Sequence, residues 1–233
     1  MERNVQRLNV LSGDVAQGAG QHRVLRNTYW LLALSLLPTV LGAWVGVSTG
    51  IMQVMMHSPG LSAILFLVGA YALMAGIHAT RNSSTGVFLL LGFTFFMGLM
   101  LSNLIGHALG FRNGAGLVMT AFGGTAGVFF GMATLATVVK RDLSGIARFA
   151  SIGMLIAIAA VVMNLFLASS ALMLTISVVV MVISSLFIMI DVKRVIDGGE
   201  TNYITAALHI YIDLYNLFQS LLLILSSLTG NRR

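Results

Sequence analysis

Two aspartates, Asp191 and Asp213, lie inside or at the edge of hydrophobic stretches long enough to cross a bilayer, and of the seven acidic residues they alone are so placed. An ionisable group at that depth costs about 2.5–3.5 kcal/mol on insertion scales, so it persists where it has a partner or a task. Asp213 also belongs to a set. His209, Asp213, Asn216 and Ser220 follow one another at offsets of four, three and four, which puts all four on one face of a helix whose other faces are Leu, Ile, Tyr and Phe. Such a stripe turns toward other polar helices or toward a watery path. The first reading is interhelical hydrogen bonding alone; a carboxylate in the stripe points to the second, an ion or proton pathway.

Asp191 closes the apolar run SSLFIMIDVKRVIDGG. The helix is expected to continue through Val195 and Ile196 and to stop near Gly198-Gly199, a C-terminal glycine signal, leaving Asp191 about 10 Å inside that end. Asp213 lies roughly 15 Å from the start of the last span by the same rise per residue. The two helices are consecutive and antiparallel, so the carboxylates can reach similar depth on facing sides. Two such groups held together away from bulk water cannot both ionise cheaply. The pair shares a proton, or gives it up and binds a hard cation such as calcium through its oxygens. The alternative is that Asp191 is a headgroup-level acid paired with Lys193 or Arg194. His78 and Arg81 end the second hydrophobic stretch, either as further partners for Asp191 or as topology anchors. HExxH, GxSxG, P-loop and dinucleotide signatures are absent, and no GxGD-like setting surrounds either aspartate, so the chain reads as a non-enzyme needing no cofactor.

The elements that must position these groups are membrane helices. The chain is 58% hydrophobic and 9% charged, whereas a soluble domain carries about 25% charged residues. The absence of cysteine excludes disulfides and thiolate sites. Net charge is +6, but the basic residues stand singly or in pairs between hydrophobic runs, which marks them as topology signals and headgroup contacts, not a nucleic-acid surface. A span needs about 20 apolar residues. Trp30–Ile51, Leu61–Thr80, Val87–Phe111 and Asn113–Val139 give four, the first two separated by His57-Ser58-Pro59-Gly60. Phe149–Ile190 would be about 63 Å long as one helix, so it must fold back, at Ala168-Ser169-Ser170, to give the fifth and sixth. The seventh runs from Ile204 to Leu228.

With the N-terminus inside, ten Lys and Arg fall on the cytoplasmic side and three (Arg112, Arg232, Arg233) on the other, which predicts N-in and C-out. Residues 1–29 read as a flexible cytoplasmic tail and 30–230 as the membrane domain. Gly42, Gly46 and Gly50 recur every fourth residue in the first span, as do Gly123, Gly127 and Gly131 in the fourth. Small residues at that spacing make a groove for a neighbouring helix, within the bundle or in a second copy.

The stretches AFGGTAGVFFGMATLATVVKRDLSGIARF, IMIDVKRVIDGGETNYITAAL and HIYIDLYNLFQSLLLIL together resemble the Bax inhibitor family (transmembrane Bax inhibitor motif), and HRVLRNTYWLLALSL with the GGETNYI turn is similar to its bacterial YccA-type branch. The resemblance, which extends from His22 to the C-terminus, implies an all-α, seven-span inner-membrane protein with its last helix surrounded by the other six. It implies a pH-sensitive calcium leak in which Asp191 and Asp213 sense protons at the cytoplasmic mouth; the residues themselves suggest His209, Asn216 and Ser220, with His78 and Arg81, as pore-lining or supporting groups. The arginine that latches the pair in leak members has its counterpart in the HATRNSS region, where the available cation is Arg81 and an ungapped match sets Thr80 at the latch position. The same branch implies a function of a different class: modulation of the FtsH-type membrane protease and its HflK/HflC complex through residues 1–29.

Overall fold

The computed structural model describes residues 2–50 and 59–230, with side chains from Gly20 to Gly50 and from Ile64 to Gly230. Among these residues it has seven helices and no strand: α1 (Glu2–Thr49), α2 (Pro59–Thr80), α3 (Ser84–Leu109), α4 (Gly114–Val138), α5 (Ser144–Leu167), α6 (Ser170–Ile196) and α7 (Tyr203–Gly230). Six are long and apolar enough to cross a membrane, and the described apolar part of α2, Ile64–Thr80, is shorter. His57, and with it the turn expected before α2, lies outside the described residues.

The helix ends follow local chemistry. Gly50 ends α1 with a positive φ of 65°, a conformation open to glycine without a Cβ penalty. The long apolar run breaks where expected: Ala168 takes φ 48° after α5, the Asn164 side chain accepts from Ser169 N–H at 3.0 Å, and Ser169 Oγ accepts from Leu172 N–H at 3.3 Å to open α6. Between α4 and α5, Asp142 accepts from both the N–H and the hydroxyl of Ser144. Those bonds hold its carboxyl below the usual carboxylate range. At the start of α7, Asn202 Oδ1 accepts from Ile204 and Thr205 N–H at 3.0 and 3.1 Å, an N-cap. Its amide group donates across to Arg81 O and Asn82 Oδ1, both at 2.9 Å. One residue thus starts the last helix and ties the α6–α7 turn to the α2–α3 turn.

Two expectations change. Residues 2–29, read as a flexible tail, are helical and continuous with the first span; no proline precedes Pro38 to interrupt the hydrogen-bond ladder. The last helix is central but not wholly enclosed: α7 packs against α1, α2, α3, α4 and α6, whereas α5 packs on α6 alone. The main core gathers toward the α6–α7 turn around Ile77, Leu90, Phe93, Met189, Val192 and Leu208. A smaller cluster of Ala108, Leu117, Ala121 and Leu222 closes the other end. Tyr211, fully buried, has its hydroxyl 2.8 Å from Thr39 Oγ1 and 3.4 Å from Thr94 O, so α7 is pinned to α1 and α3.

The two glycine series have opposite fates. A Cβ on Gly42 would run into the Phe95 carbonyl, and one on Gly46 into the Ser102 side chain. From the other side, a Cβ on Gly98 would strike the Thr39 carbonyl. The first groove is therefore filled by α3, while Gly50 serves the helix end. Around Gly123, Gly127 and Gly131 a Cβ would meet nothing within 4 Å. Gly98→Ala should lower the unfolding free energy of the detergent-solubilised protein by about 1–3 kcal/mol, because backbone must move. Gly127→Ala should leave it unchanged or raise it by up to about 1 kcal/mol, since the added Cβ meets nothing and alanine is the better helix former. Equal losses in a denaturant titration would contradict the assigned α1–α3 contact.

Candidate functional site

Asp191 lies five residues before the end of α6 and Asp213 ten residues into α7, roughly 8 Å and 15 Å along their helices. The antiparallel pairing of α6 with α7 brings their carboxyl groups within hydrogen-bonding reach of each other whenever one holds a proton. Asp213 is 6% exposed, and its Oδ2 is enclosed with no hydrogen-bond donor beside it. The Asp191 side chain is 14% exposed, and Arg194 Nη1 stands 3.6 Å from its Oδ1 across one helical turn. Arg194 is itself half exposed, so that ion pair is a weak, solvent-screened contact. The fields of His209, Arg194 and Glu200 also reach Asp191.

The two aspartates border a cavity of about 700 Å³ bounded by α2, α3, α5, α6 and α7. His209, Asp213, Asn216 and Ser220 all line it, so the stripe on α7 faces this space rather than lipid. Gln219, which the offset pattern did not single out, adds a further amide; it falls one turn after Asn216, a signal the sequence does carry. His78 sits beside the site through its ring, 6.1 Å from that of His209.

Arg81 is elsewhere. It makes no ion pair with either aspartate and borders a separate surface cavity of about 580 Å³ with Asn82, Ser84, Thr201, Asn202 and Tyr203. The reason is local: α2 ends at Thr80, and Asn202 holds the Arg81 carbonyl in the turn that follows. Lys193, the other candidate for Asp191, pairs with Asp197 at 2.8 Å. Of the cations considered from the sequence, Arg194 is the one that meets Asp191.

As a metal centre the site is incomplete. Among the described residues no three His, Asp or Glu side chains converge to hold an ion. Two carboxylates supply at most four oxygens where calcium takes about 6–8. What the arrangement can do is share or release a proton within a poorly hydrated space, and offer one carboxylate without a cation of its own.

A helical bundle of long apolar spans around a buried aspartate and a partly buried second one is a multi-span membrane protein with an ionisable centre. Residues 21–230 match the family described as "Inhibitor of apoptosis-promoting Bax1", and the chain belongs to that Bax inhibitor family. The "Modulator of FtsH protease YccA" of Escherichia coli K12 is 40% identical over 204 residues, 88% of this chain and 90% of that protein. The "Inner membrane protein YccA" of Escherichia coli O6:H1 shows the same identity and coverage. An uncharacterised protein of Neisseria meningitidis serogroup A is 41% identical over 216 residues, 92% of this chain and 95% of its own.

If the carboxylates interact as their placement indicates, Asp191→Asn and Asp213→Asn should not be additive in stability. The double-mutant cycle should give a coupling of about 0.5 kcal/mol or more in a detergent unfolding assay. Strict additivity would mean that the two groups do not meet.

Proposed function

We propose that this protein is a non-enzymatic inner-membrane partner that modulates an FtsH-type membrane protease. The observation that carries this reading is the 40% identity, over nine-tenths of its length, to the relative named as modulator of that protease. In the proposed topology all seven helices cross, with the N-terminus cytoplasmic and the C-terminus on the opposite side, in keeping with the excess of Lys and Arg on the inner side. The N-terminal part of α1 then lies in the cytoplasm as the segment available to a protease that works there. Raising the level of this protein in cells should lengthen the half-life of a membrane-embedded protease substrate. Deleting residues 2–20 should abolish that effect, while Asp191→Asn and Asp213→Asn keep it. A substrate half-life indifferent to the protein's level would end this reading.

A second reading, a pH-sensitive calcium leak, is favoured by one observation: the acids of the last two helices meet inside a cavity. In that reading the deprotonated pair frames the cytoplasmic mouth, and protonation closes it. Vesicles holding the purified protein and a calcium dye should show flux that rises with pH. Asp213→Asn should reduce the flux severalfold and flatten its pH profile. Unchanged flux and an unchanged profile in that variant would refute the leak.

A further inference from the structure

Among the described residues α2 is held by α3 and lightly by α7, α5 is held by α6, and α2 and α5 do not pack on each other. The cavity lies between them. Its rim is Leu67 and Tyr71 on α2 and Ile158 and Val161 on α5. Tyr71 is 68% and Ile158 54% exposed, both on apolar helix surface. The gap between these two helices therefore opens sideways, toward the hydrocarbon of a bilayer, and what enters by it must be lipid-soluble.

The interior has two kinds of wall. Phe66, Phe93 and Phe187 supply aromatic faces, and Met74, Met97 and Met154 supply adaptable thioethers; both surfaces accommodate organic cations and varied apolar shapes. The Asn216 and Gln219 amides and the Asp213 carboxylate line the same space. The ionisable groups lining the cavity are Asp191, Arg194, His209 and Asp213, with His78 and Glu200 beside them. Arg194 is engaged with Asp191. Among the described residues Asp213 is a buried acid with no cation within ion-pair distance, and once the proton it shares with Asp191 is released, two carboxylates against one arginine leave the lining, with neutral histidines, one negative charge in excess. A volume of about 700 Å³ is within the range of roughly 300–1,000 Å³ that small organic ligands occupy.

We infer that this cavity binds a lipophilic organic monocation, an ammonium or phosphonium whose apolar groups fill the Phe and Met walls while its charge lies against Asp213, admitted from the bilayer between α2 and α5. A hydrated metal ion has no use for the apolar walls. A phospholipid brings a phosphate that the uncompensated acid repels. The inference is independent of protease modulation. It shares Asp213 with the leak reading but needs no calcium and no flux.

The test is binding of tritiated tetraphenylphosphonium to the full-length protein in nanodiscs of zwitterionic lipid, without calcium, at one fixed pH. Binding should be saturable at one site per chain. Asp213→Asn should weaken it by about tenfold or more, the effect of removing one partner of a buried charge contact. Ser151→Phe, which adds bulk to the α5 wall without altering charge, should weaken it comparably. Tetraphenylborate, of the same shape and opposite charge, should not bind saturably. Equal binding of the borate would reduce the cavity to a crevice for any lipophile, lipid included, and overturn the inference. Full binding in Ser151→Phe would place the cation elsewhere and overturn it too. Should Asp213→Asn fail to fold, as judged by its gel-filtration profile, Ser151→Phe and the borate comparison still decide.

Discussion

A carboxylate buried in the middle of an apolar helix is the constraint on which the rest depends. Asp213 cannot face lipid without a cost of several kcal/mol, and water does not reach its Oδ2. The arrangement around it meets that difficulty in two ways. α6 brings Asp191 alongside, so a single proton can serve both groups. The other faces of α7 are enclosed by α1, α3 and α4, so the polar stripe has one direction left to face. The position of α7 in the bundle and the existence of the cavity are thus two aspects of the same requirement.

Side-chain hydrogen bonds fix the helix against drift. The Tyr211 hydroxyl reaches Thr39 on α1 and Thr94 on α3, halfway between His209 and Asp213 in sequence. Asn202 caps the start of the helix and grips the α2–α3 turn. Both residues act on position, and neither borders the cavity. An acid pair tolerates little axial slip, since one residue of rise is about 1.5 Å and would carry the carboxyls out of reach of a shared proton. Gly98 and Gly42 contribute by letting α1 and α3 approach to backbone contact, which sets where Thr39 and Thr94 stand.

Much of this was legible in the sequence because membrane helices announce themselves. Hydrophobic length set the helix bounds to within a few residues except at the start of α1, and the break at Ala168-Ser169 followed from a run too long for one span. The offsets of four, three and four put the α7 stripe on one face. What periodicity does not encode is which neighbour is present. Gly42 and Gly46 meet α3, whereas Gly123, Gly127 and Gly131, identical in spacing, meet nothing. Arg81 is near Asp191 in any schematic of span ends, yet a turn held by Asn202 carries it to another surface. That α5 stands off from α7 depends on tertiary packing, and no residue in α5 signals it. The helical state of residues 2–29 was missed for a different reason: glycines at 13, 18 and 20 lower helix propensity by about 1 kcal/mol each without forbidding the continuation of a helix already nucleated below them.

The start of α1 comes close to the turn that links the two acid helices. After α6 the chain turns at Gly198, whose φ of +78° favours glycine, and any Cβ there would press on the Gln21 side chain of α1. Gln21 directly follows residues 2–20, the segment proposed to meet a protease, and Gly198 lies two residues past the end of α6, the helix that carries Asp191. The turn it begins leads through Asn202 into the helix of Asp213. Gln21 of α1 therefore stands against the connection between the two acid helices. The glycine turn that lets α1 approach and the Asn202 cap behind it thus help to fix where the two acid helices stand relative to each other.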